Sequence, residues 1–508
     1  MVVRQWLVVS LLVGMIAVRP SRSAFLSKLS TPRRSRPLFS HHNNDHDQER
    51  QGKQAELDAA STLSLAPMME YTDRHFRHLV RLISNRTLLY TEMVGASAIY
   101  HEQMDAKQAY QDAHPTSTAD EDVNAHYKDR YLQRFLRQSN REGPCVLQLG
   151  GSDPTAMYHA TETVMELTQR GGICDYTAIN LNCGCPSPKV AGKGCFGAAL
   201  MDDPKLVADL VTAIHEGCQG RLPVTVKCRI GTDSQQPFSK QLQRQDDEQE
   251  YRTLAHFIET VADSGIVTSF DVHARIAVLQ KSFSPADNRK IPPLKYSVVQ
   301  RLVNDYSPHN KLKFTLNGGI ETIPQAQSLL QQMPGLQGIM IGRAWAADPW
   351  RFSMADTLLY HNNNDQDQQS TSNNMNRLQI LEAFGRHADQ EEQEWDPIKI
   401  RRFLVKAVMP LFAGEPNSKQ YRIRLDELAR IPKQLHAQGI HSMAGQPPLS
   451  ELMVNTALDC LSEETLLRTP QESYQRFLEQ EASSQLPGRP HDPTVAAWQA
   501  DRKSAEAV

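Results

Sequence analysis

A short segment, Leu181-Asn-Cys-Gly-Cys-Pro-Ser187, places two cysteines directly after a run of apolar residues. Thiols in such a position either bind a metal or move a proton. Structural zinc sites usually combine C-x-x-C pairs with further Cys or His ligands, and neither accompanies this C-x-C spacing. We therefore expect no metal. A thiol has an ordinary pKa of about 8.5, so it is protonated at neutral pH yet can release its proton. The segment predicts a proton donor.

A lysine in an apolar strand is a second candidate for chemistry. Lys227 lies within Pro223-Val-Thr-Val-Lys-Cys-Arg229, and a buried ammonium group requires a partner. The N1/O2 edge of a flavin would provide one, because a positive charge there stabilises the anionic reduced ring. His273 and Gln148 would then hold the ring and the ribityl chain, although a single histidine is also compatible with an ordinary core residue.

Two glycine-containing turns predict a phosphate site. Asn317-Gly-Gly319 and Gly342-Arg343 each follow an apolar run, and glycine allows backbone N–H groups to approach phosphate oxygens closely. Tight turns without a ligand are the alternative. A formal G-x-G-x-x-G at Gly192, Gly194 and Gly197 is not a dinucleotide fingerprint, because it lies ten residues beyond the end of the strand and lacks the acidic residue about twenty positions later.

The elements that must position these residues form a repeating pattern. Between residues 60 and 350, eight short apolar runs alternate with helical patterns, which predicts an α/β fold of the TIM (β/α)8 barrel type. A doubly wound sheet is the alternative, but it normally has fewer strands and an early glycine fingerprint. The expected strand ends are Met68, Met93, Leu149, Asn182, Arg229, His273, Asn317 and Gly342. Nearly every strand carries a polar group or a glycine at its end or next to it, such as Glu92, Gln148 and Lys227, as expected where a barrel holds its active site.

The rest of the chain divides by composition. We predict a disordered linker at 41–60, the barrel at 61–356, a polar linker at 357–376, a small helical domain at 377–441 and a weakly ordered tail at 442–508. Polar inserts at His101–Gly143 and Gln235–Glu250 interrupt the barrel.

The first 40 residues are typical of a targeting leader. They contain seven Lys or Arg and no acidic residue, and removing them changes the formal charge from −3 to −10. The apolar run Trp6–Val18 is too short for a membrane span, and a Ser- and Arg-rich stretch follows Ala24-Phe25. A bipartite plastid leader is therefore expected, with a mitochondrial or secretory address as the alternative, and no stable membrane association after its removal. The cysteines lack the spacing of a disulfide framework, which disfavours secretion.

The motifs in this order resemble the dihydrouridine synthases, in particular the bacterial A-type branch. The resemblance covers about residues 63–349 and continues more weakly to 430. It rests on Leu65-Ala-Pro-Met-Met-Glu-Tyr-Thr-Asp73, Leu88-Leu-Tyr-Thr-Glu-Met93, Leu147-Gln-Leu-Gly-Gly151, Asn180-Leu-Asn-Cys-Gly-Cys-Pro-Ser187, Val224-Thr-Val-Lys-Cys-Arg-Ile-Gly231, His273-Ala-Arg275, Ser284-Pro-x-x-Asn-Arg289, Ile291-Pro-Pro-Leu294, Asn317-Gly-Gly319 and Gly342-Arg343.

The resemblance implies an FMN-bound barrel and a helical tRNA-binding domain. NADPH would reduce the flavin, hydride would pass to C6 of a D-loop uracil at position 20 or 20a, and Cys185 would protonate C5. Cys183 is the competing acid, since relatives often have Val or Met there. The implied FMN contacts are Pro67, Met68, Met69, Gln148, Lys227, His273, Asn317, Gly318, Gly319, Gly342 and Arg343.

The same resemblance implies that Asn182, Arg275 and Arg289 face the substrate. Because the chain is acidic without its leader, contact with tRNA requires a local basic patch. The helical domain offers Lys399, Arg401, Arg402, Lys406, Lys419, Arg422 and Arg424, of which we predict Lys419 and Arg422 as substrate contacts. A solvated helix face is the alternative. Relatives often carry a basic residue near the tRNA at this stretch, where the present sequence has Ala286-Asp287.

Two other functions are compatible with parts of this pattern. An FMN barrel oxidoreductase that reduces a small molecule would explain the flavin residues but not the basic helical domain. A tRNA-binding module without catalysis would explain that domain, but it would have lost the cysteine or the flavin contacts, and both are present.

Overall fold

Eight parallel strands form the centre of the molecule in a computed structural model. The model describes residues 43–113, 130–139, 141–171, 173–187, 196–234, 247–280, 283–310, 312–360, 374–440, 443 and 445–484. The strands are β1 Leu63–Leu65, β2 Leu89–Gly95, β3 Cys145–Gly150, β4 Ala178–Cys183, β5 Val224–Arg229, β6 Val267–His273, β7 Lys313–Asn317 and β8 Gly338–Ile341. Their order, β1-β8-β7-β6-β5-β4-β3-β2, confirms the predicted barrel.

The barrel closes where β1 meets the residue before β2. Ser64 forms a parallel bridge with Leu88, and the N–H of Leu65 donates to the carbonyl of Leu88 at 2.8 Å. On its other side, β1 pairs with β8 through Leu63 and Ile339. The hydroxyl of Tyr360 accepts a hydrogen bond from the N–H of Leu63 at 3.1 Å and lies 2.9 Å from the carbonyl oxygen of Ala60. The chain segment that leaves the barrel therefore holds its first strand.

Helices surround the barrel and continue beyond it. They are α1 Asn43–Ala60, α2 Arg74–Ile83, α3 Ala96–Ala113, α4 Arg130–Leu136, α5 Pro154–Gly171, α6 Pro204–Gly217, α7 Glu248–Ala262, α8 Tyr296–Asn310, α9 Ile323–Gln332, α10 Arg343–Ala347, α11 Ala355–Leu359, α12 Arg377–Glu394, α13 Pro397–Val408, α14 Ser418–Ala437, α15 Leu449–Cys460, α16 Glu463–Leu467 and α17 Pro470–Ser484. None of the described helices is long and apolar enough to span a bilayer, and the predicted leader lies outside the described residues.

Helix α1 occupies the region predicted as a disordered linker, so that prediction is wrong over 43–60. The helix has little apolar surface, but Leu57 and Ala60 are buried against the barrel residues Val146, Ala178 and Met340. Ion pairs from α1 hold its flanks: Glu49 to Arg221 at 2.7 Å, Lys53 to Asp175 at 2.7 Å and Asp58 to Lys313 at 2.6 Å. Two apolar side chains and three ion pairs thus order a polar segment at the amino-terminal end of the barrel.

The prediction of a weakly ordered tail at 442–508 is also wrong over 449–484, where the structure has helices α15, α16 and α17. Leu449, Met453 and Ala457 recur every four residues and are buried, so α15 presents one apolar face to α12. The carboxylate of Glu415 pairs with Arg468 at 2.7 Å. Apolar packing at helical spacing and a partly buried ion pair account for the order of this segment.

Helix α2 of the barrel joins the helical region through a buried polar cluster. Arg74 pairs with Glu391 at 2.6 Å, and their side chains are 2% and 6% exposed. His75 Nδ1 lies 3.1 Å from His387 Nε2, and the ring of His78 stacks on that of His387. Burial lowers the pKa of His78 to about 3 and that of His387 to about 4, and Arg74 adds to the effect at His387. Both imidazoles are neutral at pH 7.

These histidines predict a loss of stability in mild acid. Because their folded pKa values lie below the ordinary value, the unfolded chain binds more protons, and stability is lost as the pH falls below about 6.5. We expect the free energy of unfolding to fall by about 2–4 kcal/mol between pH 7 and pH 5, measured by urea unfolding. His387→Gln should flatten this dependence, and a matched substitution of the exposed His256 should not. Equal slopes for the two variants would contradict the explanation.

Candidate active site

The predicted site residues meet at the carboxyl-terminal end of the barrel. The strand register places Lys227 beside Asp271 and Arg229 beside His273, and it pairs His273 with Asn317. Pro67, Met68 and Met69 follow β1, Gly318 and Gly319 follow β7, and Gly342 and Arg343 follow β8. In a parallel barrel all of these positions converge on one mouth.

An amide network inside the barrel positions the loop after β4. Asn182 Oδ1 accepts hydrogen bonds from the N–H groups of Gly184 and Cys185, each at 3.0 Å. Its Nδ2 donates to Gln148 Oε1 at 2.9 Å, and Gln148 Nε2 donates to Asn180 Oδ1 at 2.8 Å. One hydrogen bond therefore joins the side chains of Asn182 and Gln148, and Asn182 in turn fixes the backbone that carries Cys185.

Arg229 holds the same loop from the side of β5. This residue is buried, and its Nε donates to the carbonyl of Gly184 at 2.9 Å. Its Nη1 donates to the carbonyl oxygens of Ile276 and Asn288 at 2.9 and 3.1 Å. Burial lowers the pKa of Arg229 to about 9, while the nearby Cys185 acts in the opposite direction. The guanidinium group thus lies close to the thiol.

The two cysteines of the C-x-C segment have different environments. Cys183 is the last residue of β4 and is 0% exposed, and burial raises the pKa of its thiol well above the ordinary value. Cys185 is half-buried in the loop. Only Cys185 is placed to reach a molecule at the mouth, so the geometry favours it over Cys183 as the proton donor.

Lys227 lies at the centre of a cationic pocket. Its Nζ donates to Asn317 Oδ1 at 3.0 Å, and Asn317 Nδ2 donates to the carbonyl of Met340 at 2.7 Å. Burial lowers the pKa of Lys227 to about 8, and the neighbouring Asp271 opposes this shift. Burial also raises the pKa of Asp271 to about 6. The ammonium group is therefore charged near neutral pH, with the Asp271 carboxylate as a neighbouring counter-charge.

His273 adjoins the same charges. Burial lowers its pKa well below the ordinary value, and Arg229, Lys227, Arg275 and Arg343 add to the effect. Gly318 and Gly319 follow with φ of 113° and 72°, a backbone that side chains with a Cβ rarely adopt. A Cβ on Gly318 would lie 2.4 Å from the His273 ring. The arrangement combines a neutral imidazole, several cations and a glycine turn, which suits an anionic ligand.

The family model and the sequence relatives agree on one family. The family model described as Dihydrouridine synthase (Dus) matches residues 64–441. A tRNA-dihydrouridine(20/20a) synthase of Synechocystis sp. is 36% identical over 365 residues, which are 72% of this chain and 88% of that protein. The chain belongs to the dihydrouridine synthase family.

Two further matches have different weight. A tRNA-dihydrouridine(20/20a) synthase of Escherichia coli strain K12 is 34% identical over 366 residues, 72% of this chain and 86% of that protein. Among solved structures, histamine dehydrogenase from Rhizobium sp. 4-9 has a TM-score of 0.34 and 13% identity, covering 58% of this chain and 45% of that one, a likeness too distant to bear on function. The sequence relatives confirm the predicted family, and they confirm the prediction that the chain is an enzyme.

The residues predicted to face substrate lie in different places in the structure. Arg289 is exposed and lies near Cys185, Arg343 and Tyr71, so it lies at the mouth. Arg275 is buried, and its Nη1 donates to the carbonyl of Pro292, so it holds the loop after β6. Asn182 is buried under the cysteine loop, as described above. Lys419 and Arg422 are exposed on α14.

The predicted basic patch of the helical region is smaller than expected. Arg401 is buried and pairs with Glu392 at 2.6 Å, and Arg424 pairs with Asp459 at 2.8 Å. Arg401 stabilises the helical region and is wrongly assigned to the patch, whereas Arg424, although paired, keeps a side chain that is 42% exposed. Lys399, Arg402, Lys419 and Arg422 remain exposed, and Lys406 contacts the loop after β1.

The described residues contain one group of three potential metal ligands, His75, His387 and Glu391. It lies at the junction of α2 and α12, and Arg74 already binds the carboxylate of Glu391. Neither Cys183 nor Cys185 belongs to such a group among the described residues.

Sequence reasoning missed three polar residues of the candidate site: Asn180, Arg229 and Asp271. Each lies on the same strand as a predicted residue and two positions from it, next to Asn182, Lys227 and His273 respectively. Successive side chains of a strand alternate between its two faces, so residues two apart share a face. That period of two was the signal that could have found them.

Proposed function

We propose that this chain is an FMN- and NADPH-dependent tRNA dihydrouridine synthase that reduces the C5=C6 bond of uridine 20 or 20a in the D-loop. The observation that carries the proposal is the half-buried Cys185, whose loop is held by Asn182 and Arg229 beside a cationic pocket. The names of the sequence relatives support the substrate and its position.

The residues of the pocket fit FMN. The cations Lys227, Arg229 and Arg343 surround the neutral His273, which suits the phosphate and the anionic reduced ring. Asn317 holds the ammonium group of Lys227 in place, and the glycines after β7 bring backbone N–H groups to the mouth. Bound FMN, reduced by NADPH, would supply hydride to C6 of the uracil.

The protein would supply the proton and the geometry. The Cys185 thiol would protonate C5 from the face opposite the flavin. Asn182 and Arg229 orient the thiol through the backbone of Gly184 and Cys185. A uracil reaches such a site only after leaving its base stack, which costs least in a loop of the RNA. The cations at the mouth would attract the phosphates around it.

The proposal is tested with the purified chain, FMN, NADPH and tRNA that lacks dihydrouridine. Nucleoside analysis by mass spectrometry should show dihydrouridine at position 20 or 20a, and none without NADPH. A bound flavin without any dihydrouridine would favour an oxidoreductase that acts on a small molecule. Failure to bind flavin would favour a module that only binds RNA.

Lys227→Met should weaken FMN binding without unfolding the protein. Methionine is apolar and similar in length, so it removes the desolvated charge at the cost of the hydrogen bond to Asn317, about 1–3 kcal/mol of stability. The loss of a charge-assisted contact of about 1.5–3 kcal/mol corresponds to a roughly 10- to 150-fold higher Kd for FMN. Flavin fluorescence titration measures this change.

The pH dependence provides the control for that variant. The wild-type ammonium group loses its proton as the pH rises through about 8, so FMN affinity should fall above that pH. The methionine variant has no such group and should show no fall over the same range. Parallel curves for the two proteins would show that Lys227 does not bind the flavin.

Organelle targeting remains a separate proposal, because residues 1–40 lie outside the described part of the chain. The basic, acid-free composition of this segment supports a plastid address. A fluorescent protein fused to residues 1–40 should accumulate in plastids, and accumulation in mitochondria or in the secretory pathway would contradict it.

A further inference from the structure

The turn between β1 and α2 holds its shape through its own hydrogen bonds. The N–H groups of Tyr71 and Thr72 donate to the carbonyl of Met68 at 3.1 and 3.0 Å. The N–H of Met68 donates to Thr72 Oγ1 at 3.0 Å, and Arg77 donates to the carbonyl of Thr72 at 2.7 Å. Because these bonds need no ligand, the turn is ordered before any substrate arrives.

One residue of this turn has an unfavourable backbone conformation. Glu70 has a φ of 66°, in the left-handed region that residues other than glycine rarely occupy. Its N–H donates to the carboxylate of Glu92, and its carbonyl accepts a hydrogen bond from Lys406 of the helical region. Contacts from both the barrel and the helical region therefore maintain the strained conformation.

The strained turn projects two large apolar side chains outward. Met69 is 53% exposed and Tyr71 is 50% exposed. Such exposure at a rigid position, maintained against backbone strain, indicates a binding surface rather than a packing residue. Met69 is already a predicted flavin contact, which leaves Tyr71 without a role.

The surroundings of Tyr71 are cationic. Lys406 Nζ lies 5.0 Å from the centre of the Tyr71 ring. Arg289 is within electrostatic range of both the Tyr71 hydroxyl and the Cys185 thiol, so the ring and the proton donor lie at the same mouth of the barrel. An exposed aromatic ring with cations beside it is the arrangement that binds unpaired nucleobases, since the ring stacks on the base and the cations contact the phosphates.

We propose that Tyr71 is a positioning residue that stacks on the nucleobase next to the uridine being reduced. It would replace the stacking that this base loses when the uridine is extruded, and Lys406 would hold the ring in place from the helical region. The proposal rests on the proposed function, because it requires an RNA substrate with an extruded uridine.

Two variants of Tyr71 test the stacking. Tyr71→Ala removes the ring and should raise the KM for tRNA roughly 5- to 150-fold, the change that corresponds to stacking of about 1–3 kcal/mol, with a smaller effect on kcat. Tyr71→Phe keeps the ring and should stay within about threefold of the wild type on the same scale. Leu458→Ala, which truncates a side chain that is 52% exposed on α15, is the matched control and should leave KM unchanged.

A fluorescent base reports stacking directly and does not depend on turnover. 2-Aminopurine is placed on either side of the target uridine, and the RNA is bound to the FMN-loaded protein in the Cys185→Ala background. Two double variants are compared with Cys185→Ala alone: one adds Tyr71→Ala and the other adds Tyr71→Phe. With 2-aminopurine at one of the two positions, the variant with Tyr71→Ala should give brighter emission and a higher Kd for the RNA than the other two proteins.

The outcomes separate this proposal from the proposed function. If proteins with alanine and with tyrosine at position 71 have equal KM, Kd and emission, the stacking proposal is overturned. Dihydrouridine formation by the wild-type protein would still support the proposed function. Quenching that depends on Tyr71, in a protein that forms no dihydrouridine, would support the stacking and overturn the activity. No binding of the RNA by the wild-type protein would overturn both.

Discussion

Cys185→Ala is expected to lower the rate of dihydrouridine formation by about 10²- to 10⁴-fold, the usual contribution of a positioned general acid. Alanine cannot donate a proton to C5, whereas the backbone that Asn182 and Arg229 hold is unchanged. FMN binding and flavin reduction by NADPH should therefore persist. Single-turnover kinetics with reduced enzyme and tRNA measure the loss at the chemical step.

Cys183→Ala is the matched control two residues away. Its thiol is buried in β4 beside Cys228, so its loss removes core volume but no group that faces the mouth. Activity should stay within a few-fold of the wild type, and thermal stability should fall modestly. The opposite result, an active Cys185→Ala and an inactive Cys183→Ala, would reverse the assignment of the acid.

Arg74→Met is expected to destabilise the protein by about 3–5 kcal/mol, because it leaves the buried carboxylate of Glu391 without its cation. Both side chains are almost fully buried and 2.6 Å apart, and they join α2 to α12. Urea unfolding at pH 7 measures the loss.

Two further variants separate the ion pair from simple packing. Arg74→Met combined with Glu391→Leu should recover most of the lost stability, because an apolar pair of similar volume costs little in place of a buried ion pair. Arg430→Ala removes a partner from the exposed pair with Asp426 and should change stability by less than about 0.5 kcal/mol. A double variant as unstable as Arg74→Met would show that the ion pair is not the cause.

The sequence predicted the barrel because strand-length apolar runs and helical periods alternate clearly over residues 60–350. It also placed His273 and Asn317 at strand ends, since each is the polar residue that closes an apolar run, and it placed Lys227 within an apolar strand near its end. Those features depend on local spacing, which a single sequence contains.

Contacts between distant segments were not predictable in the same way. Nothing local indicates that Gln148 donates to Asn180, or that Arg229 reaches the carbonyl of Gly184 beyond the end of the neighbouring strand. Helix α1 has a polar composition typical of a linker, and it is ordered by partners such as Arg221 and Lys313, which lie far along the chain.

The burial of individual charges is a third kind of information that composition lacks. Arg401 and Arg402 are adjacent and chemically identical, but one is buried against Glu392 and the other is exposed. A basic cluster identified from the sequence therefore includes arginines that stabilise the fold as well as residues that are exposed for binding.

The closure of the barrel also determines when the protein can fold during synthesis. Leu63 and its partner Tyr360 are 297 positions apart, an interval that a ribosome needs roughly 15–60 s to translate at about 5–20 residues per second. Until then β1 has no β8 to pair with, so an apolar strand edge stays open on the nascent chain. A barrel closed in this way leaves its first strand unpaired for longer than a protein whose neighbouring segments pair as they emerge.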